Sequence, residues 1–331
     1  MAIKLSLVIP VYNRPDEIQE LLDSLTNQSV LPDEVVIVED GSSRSSKSVV
    51  DSFLDRLAIS YFEKPNSGPG ASRNYGMKRA KGDYFIILDS DCILPKDYIA
   101  SIHQSLKDSL VDFFGGPDKA HSSFSSLQKA IDYAMTSVLT TAGIRGAIAK
   151  RFQPRSFNMG ISKEAFEASG GFSNIHPGED PDLTLRLWKL GFKSSLFKDS
   201  FVYHKRRISW KLFYRQLYKF GSTRPILNRW HQRKLTIIYW LPLLFAMGLL
   251  GSFIMYILGY PKLFYVYVTY VFIIFIHASL KTKNPLIALK SIGAILIMYT
   301  AYGIGYLNSS LRMCCTNKKA EELFPHLFFK N

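Results

Sequence analysis

Between residues 200 and 320 this chain has not a single aspartate or glutamate. Apart from Glu321 and Glu322, its acids all lie before that stretch. Transport proteins usually mark their polar pathway with an ionisable acid inside a span, so the gap argues against a transport role. Cysteine is scarce too, with Cys92, Cys314 and Cys315 the full complement. Their spacing suggests no zinc site and implies no disulfide framework. A signal peptide is not expected. The apolar run over residues 5–11 is too short, and the polar Asn13-Arg14-Pro15-Asp16 follows at once.

What is present is unevenly distributed. The 331 residues carry a net charge of +14 and are enough for a full catalytic domain and something more. The front of the chain has mixed charge, as an ordinary globular domain does. A basic segment follows, with Lys205, Arg206, Arg207, Lys211, Arg215, Lys219, Arg224, Arg229, Arg233 and Lys234. Apolar stretches come next, over residues 236–258, 263–280 and, more weakly, 291–307. The first is long enough to cross a hydrocarbon core of about 30 Å as a helix. A buried helical hairpin in a soluble protein is the alternative, but several such segments in succession without a carboxylate are unusual there. Basic residues cluster before the first span, which places the front domain on the cytoplasmic side. Three crossings would leave Lys318, Lys319 and the tail outside. Two or four crossings, or a third segment lying in the interface, would remove that conflict, so the count stays open.

The front half alternates strand and helix signals. Apolar runs over residues 4–11, 34–39 and 59–62, and one from Tyr84 ending at Asp89, read as strands. Residues 14–28, 46–57 and 71–80 read as helices, the first with Ile18, Leu21, Leu22 and Leu25 at helical spacing. This alternation predicts a parallel α/β sheet with right-handed crossovers. Ligands of such sheets bind beyond the carboxyl ends of the strands. Asn13, Asp40 and Asp89-Ser90-Asp91 all stand at such ends. If the last strand continued, Asp89 and Asp91 would share a face and converge on one hard cation. Mg²⁺ takes one or two carboxylates together with phosphate oxygens. A plain turn is the alternative for the same three residues.

Further on the pattern is less regular. Residues 137–156 read as a mobile loop or a helix pair, 182–190 as a helix and 194–204 as a strand. Residues 209–220 read as an amphipathic helix, with Trp210, Phe213, Tyr214 and Leu217 beside Lys211, Arg215 and Lys219. Such a helix suits an anionic membrane surface or packing on a domain.

Six short segments, in order, resemble family 2 glycosyltransferases, enzymes with the GT-A fold. They are Val8-Ile9-Pro10-Val11-Tyr12-Asn13, Val36-Ile37-Val38-Glu39-Asp40-Gly41-Ser42, Gly70-Ala71-Ser72-Arg73-Asn74, Leu88-Asp89-Ser90-Asp91, Gly178-Glu179-Asp180 and Val202-Tyr203-His204. The resemblance covers roughly the first 205–220 residues. It implies a GT-A-like, mostly parallel sheet with flanking helices, followed here by C-terminal transmembrane helices. The expected organisation is a catalytic domain over 1–207, a basic interfacial segment over 208–235, two to three apolar helices over 236–310 and a basic tail over 311–331.

The resemblance also assigns roles. Pro10, Tyr12, Asn13, Asp40, Arg73, Asp89, Ser90 and Asn158 would bind the nucleotide sugar, with Tyr12 stacking on the base and Asp40 accepting from a base N–H. Glu39 stands where many relatives have aspartate. Arg73, near the start of a helix opened by Gly68-Pro69-Gly70, would face phosphate, the alternative being a surface arginine. Asp91 would be the main ligand of Mg²⁺ or Mn²⁺, with Asp89 contacting ribose or metal and His204 a further ligand. Asp180 would be the general base, or Glu179 in its place. Asp180-Pro181 also reads as a helix start, with Asp180 as N-cap.

The implied reaction is a single displacement with inversion. The donor would be a nucleoside diphosphate sugar and the acceptor a lipid-linked saccharide in cell-surface polysaccharide assembly. The catalytic domain would face the cytoplasm from the inner membrane, and no nucleic-acid partner is expected. A polyprenyl-phosphate glycosyltransferase is the enzymatic alternative. A non-catalytic nucleotide-binding membrane scaffold is the alternative of another class. Processive relatives carry Gln-x-x-Arg-Trp, which neither Arg215-Gln216 nor Arg229-Trp230 matches, so one sugar per binding event is expected.

Overall fold

A computed structural model describes residues 3–141, 152–206, 208–233 and 237–329. The chain divides into two compact units. One comprises residues 1–121, 146–205 and 328–331, the other 122–145 and 206–327.

The first unit follows the alternation read from the sequence. Its elements run β1 (Leu5–Val11), α1 (Pro15–Thr26), β2 (Glu34–Asp40), α2 (Lys47–Asp51), β3 (Ile59–Lys64), α3 (Pro69–Met77), β4 (Tyr84–Leu88), β5 (Cys92–Ile93), α4 (Tyr98–Asp108), β6 (Phe113–Gly115) and β7 (Asp118–Lys119). The seven-stranded sheet has the order β3-β2-β1-β4-β8-β6-β9, where β8 is Asn158–Ser162 and β9 is Ser194–Leu196. β8 pairs antiparallel with both of its neighbours, and the other pairs are parallel.

Strand periodicity sorts the core into two layers. Leu5, Leu7, Ile9 and Val11 pack with Ile18, Leu22, Ile99 and Ile102 of α1 and α4. Val8, Val36, Val38 and Ile87 pack on the opposite face with Met77 of α3, Phe166 of α7 (Lys163–Ser169) and Leu183 and Leu187 of α8 (Glu179–Lys189).

Several expectations change in detail. The helix expected over 46–57 is only the short α2, followed by turns. The single strand expected over 194–204 is two strands, because Lys198-Asp199-Ser200 turns the chain between β9 and β10 (Val202–His204). β10 joins a small second sheet, β5-β10-β7. Half of the 137–156 stretch, residues 142–151, lies outside the described residues.

The second unit is helical. It contains α5 (Ser126–Thr136), α6 (Val138–Thr141), α9 (Trp210–Trp230), α10 (Leu241–Ile257), α11 (Lys262–Thr282), α12 (Pro285–Cys314) and α13 (Ala320–Leu323). Ser125 and Gln128 cap α5 reciprocally, and Arg206 pairs with Asp132 at 2.9 Å. α9 is longer than the amphipathic segment read from the sequence, and it buries Phe213, Leu217 and Gly221. It lies against α12 at backbone contact. A Cβ on Gly221 would lie 2.1 Å from the Tyr302 carbonyl oxygen, and one on Gly305 would lie 2.2 Å from that of Tyr218. By length and composition α11 and α12 are apolar enough to cross a membrane, whereas α10 is shorter. α10 and α11 leave Met247, Leu250, Ile254, Val266, Phe272 and Ile276 exposed.

Candidate active site

The carboxyl rim of the sheet collects the polar ends of β1, β2 and β4. After β1, Asn13 adopts a left-handed backbone (φ 55°), which asparagine tolerates better than most residues. It uses this turn to hold the loop after β2. Its N–H donates to Ser42 Oγ at 2.7 Å, and its Oδ1 accepts from the Arg44 N–H at 2.9 Å. Tyr12 beside it is 52% exposed, a bare aromatic face at the rim. Pro10 lies within β1 opposite Val38.

Asp40, at the end of β2, is buried. Its carboxylate accepts from the N–H groups of Ser67 (3.0 Å) and Gly68 (2.9 Å) and from the Lys64 ammonium. Asp40 therefore fixes the loop that opens α3. Glu39 has a similar task, accepting from the Ser46 N–H at 2.8 Å and the Tyr61 hydroxyl at 3.1 Å.

Arg73, on α3, is not a surface arginine. Its side chain is 3% exposed, and its fork reaches Asp89 Oδ1 at 2.7 Å and Glu179 Oε1 at 2.9 Å. One guanidinium thus joins α3, the end of β4 and the start of α8. Burial lowers the arginine pKa, but the two carboxylates outweigh it and the net direction is upward. His176 Nδ1 lies 3.1 Å from the same Glu179 oxygen. Burial pushes the Glu179 carboxyl up, and His176 and Arg73 together bring it below the ordinary glutamate value. Arg73 Nε and Glu179 Oε2 are buried without a hydrogen-bond partner among the described residues.

Asp89, Ser90 and Asp91 do not continue β4. The strand ends at Leu88, and the Cys92 N–H closes a turn onto the Asp89 carbonyl at 3.2 Å. The alternation argument for a shared face therefore does not apply, and the two acids have different partners. Asp89 meets Arg73. Asp91 is buried and pairs with Arg14 through Oδ2. Its Oδ1 lies 3.2 Å from His204 Nε2 yet accepts no well-formed hydrogen bond among the described residues. Burial raises the Asp91 pKa, but the His204 imidazole and the Arg14 guanidinium bring it well below the ordinary range. The β5–β10 pairing sets this up, because it places His204 directly opposite Cys92.

Asp91, Cys92 and His204 form a compact group of possible metal ligands, their donor atoms all within 4.8 Å of one another. A buried carboxylate oxygen without a hydrogen bond, facing an imidazole nitrogen, fits a divalent cation. The Cys92 thiol fits less well. Burial and the neighbouring Asp91 and Asp89 raise its pKa, and it donates to the Phe157 carbonyl at 3.5 Å.

At α8 the cap differs from the expected one. Gly178, at φ 125°, is the N-cap, so Glu179 opens the helix and Asp180 stands in its first turn. Asp180 Oδ2 lies 3.8 Å from Arg155 Nη1, and its side chain is 16% exposed against 4% for Glu179. Ser90 is buried in the turn between the two acids. Asn158 is fully enclosed. Its Oδ1 accepts from the Tyr98 hydroxyl at 2.7 Å, and its Nδ2 donates to the Ser200 carbonyl at 2.8 Å. That places it as an internal brace. Sequence reasoning passed over Arg14, Lys64 and His176. Arg14 follows Asn13 and His176 stands three residues before Glu179, and that proximity was the available signal, whereas Lys64 is 24 residues from its partner Asp40 and gave none.

A mostly parallel sheet with this rim defines a GT-A-like domain. The match extends to a mannosyltransferase from Pyrobaculum calidifontis solved with GDP-Man and Mn²⁺, at a TM-score of 0.59, 16% identity, and 94% of this chain against 88% of that one. The sequence model of glycosyl transferase family 2 matches residues 6–169, and the chain belongs to that family through its first domain. It is 40% identical over 103 residues to a poly(ribitol-phosphate) beta-glucosyltransferase of Bacillus spizizenii, covering 30% of this chain. It is 31% identical over 114 residues to the glycosyltransferase GlyA of Streptococcus pneumoniae, covering 34% of this chain. The chain spans 16% of the length of each of these two relatives.

Proposed function

We propose that this protein is an inverting glycosyltransferase that moves one sugar from a nucleoside diphosphate sugar to a lipid-linked glycan at a membrane. The observation that carries this is the linkage of Asp89, Arg73 and Glu179, with Asp40 holding the N-terminus of the same helix and Asp91 two residues beyond Asp89. Residues up to 106 positions apart thereby meet at one rim.

Asp91 and His204 would hold Mg²⁺ or Mn²⁺, which when bound supplies positive charge for a departing diphosphate. Tyr12 offers its exposed ring to the base. Arg73 holds Asp89 and Glu179 in place, so its first contribution is to orient the acids around the donor. Asp180 takes the proton of the acceptor hydroxyl. It is the more exposed of the two acids, whereas Glu179 is committed to Arg73 and His176 and held a weak base. The apolar helices α11 and α12 and the outward apolar side chains of α10 and α11 support membrane attachment. The missing Gln-x-x-Arg-Trp supports a single transfer.

The test is a thermal-shift screen of nucleoside diphosphates and their sugars, with and without Mn²⁺, followed by transfer assays on lipid-linked glycans and on polyprenyl phosphates. Metal-dependent stabilisation by one nucleotide and transfer to a glycan are expected. No metal-dependent response across the panel would overturn the site, and transfer only to the bare phosphate would reassign the acceptor.

A further inference from the structure

The catalytic unit includes a piece of chain from the far end of the sequence. Phe328 forms an isolated antiparallel bridge with the buried Ile175, and the Phe329 N–H donates to the Asn174 carbonyl at 3.1 Å. This backbone attachment sets the Phe329 ring between two segments of the site.

On one side is Gly68, the N-cap of α3. A Cβ there would come within 2.3 Å of the Phe329 ring, so only a hydrogen fits beneath it, and the φ of 88° favours glycine as well. Gly68 is also the residue whose N–H Asp40 holds. On the other side is His176, its ring centroid 6.0 Å from that of Phe329. His176 contacts Glu179, which holds Arg73 on α3. The ring thus touches both ends of one circuit: Gly68 to α3 to Arg73 to Glu179 to His176.

We infer that Phe329 is a positioning residue of the transferase site: it locks the 174–179 loop against the N-terminus of α3, holding Asp40, Arg73 and Glu179 ready for a nucleoside diphosphate. The inference rests on the nucleotide-sugar reading for its ligand, but not for its structural content. Phe329 touches no reacting atom. Its loss should therefore loosen donor binding and leave the chemical step largely intact.

The experiment uses the full chain in detergent, with Phe329→Ala, Phe329→Leu and Phe329→Tyr. Hydrogen exchange is followed without ligand over residues 66–73 and 172–180. UDP and GDP, each with Mn²⁺, are the binding probes. Phe329→Ala should raise exchange in both segments, weaken nucleotide binding by about 3- to 10-fold and raise donor KM alike, with kcat within about twofold. Phe329→Tyr, which keeps the flat ring, should restore both, and Phe329→Leu should fall between. If Phe329→Ala fails to fold, the Leu variant carries the same comparison against Tyr. Exchange altered only around residue 329, or in neither segment, would overturn the inference. So would a fall in kcat at unchanged KM, or tighter nucleotide binding, which would make the tail a competitor for the site. Wild-type protein that bound neither nucleotide would count against the transferase reading, and the exchange data alone would then decide the role of Phe329.

Discussion

Glu179 and Asp180 are adjacent carboxylates, and the proposed function gives them opposite roles, which yields the sharpest prediction. Replacing Glu179 with glutamine removes a charge that sits between Arg73 at 2.9 Å and His176 at 3.1 Å, at 4% side-chain exposure. Breaking a buried ion pair by deleting one partner costs about 3–5 kcal/mol. Glutamine keeps a carbonyl oxygen for Arg73, and a hydrogen bond to a charged group recovers about 1.5–3 kcal/mol of that. A net destabilisation of about 2 kcal/mol is therefore expected. Asp180→Asn removes a charge that is more exposed and 3.8 Å from Arg155, so stability should change by less than about 1 kcal/mol. Its transfer rate should instead drop by about 100-fold or more, the usual worth of a general base, with donor binding intact. Urea unfolding of the detergent-solubilised protein measures the first quantity, and nucleoside diphosphate release with acceptor present measures the second. If Asp180→Asn proved the destabilised variant while Glu179→Gln kept its stability and lost transfer, the two roles would be reversed and the reasoning from burial refuted.

Other consequences follow from the same cluster. Asp91→Asn should abolish the Mn²⁺-dependent part of nucleotide stabilisation in a thermal shift, as should chelation of the wild type, whereas Asp180→Asn should not. Arg73→Lys keeps a charge but cannot span both Asp89 and Glu179, so it should lose about 2 kcal/mol of stability by urea titration, and full stability would argue against the bridging role. Glu179 titrates in the folded state below the ordinary glutamate value of about 4.3. Its contribution to stability is then complete above that value and lost as pH falls toward the folded-state pKa. The unfolding midpoint should be level from about pH 7 to 5 and decline below, with a shallower decline in Glu179→Gln.

The sheet was legible in the sequence because its strands are short apolar runs that stop at polar residues: Val11 before Asn13, Val38 before Asp40, Leu88 before Asp89. The ends themselves were less legible. Whether Asp89 and Asp91 lie on a strand or in a turn depends on one hydrogen bond, from Cys92 to the Asp89 carbonyl, that no residue pattern announces. The rim residues were found, but their partners were not. Arg73 was read as facing a ligand, yet its guanidinium is held by acids 16 and 106 positions away, and separations of that size leave no local trace. Asn158 shows the converse. The family resemblance implied a ligand contact for it, while its position on β8 encloses it beside Tyr98. The helix signal around Asp180 was correct as to existence and late by three residues, because Gly178 rather than an acid supplies the cap.

The glycines that let α9 and α12 meet backbone to backbone fix more than a packing distance. A basic helix attached only by its ends can lift off a charged surface and settle again. α9 is held along its length as well, because a slide along its neighbour would carry a carbonyl off Gly221 or Gly305 and onto an adjacent residue that has a side chain. Arg215, Lys219, Arg224 and Arg229 are thereby pinned at set heights beside a helix of 30 residues. They form a graduated scale of positive charge, and whatever depth α12 takes in its surroundings decides where each mark is read.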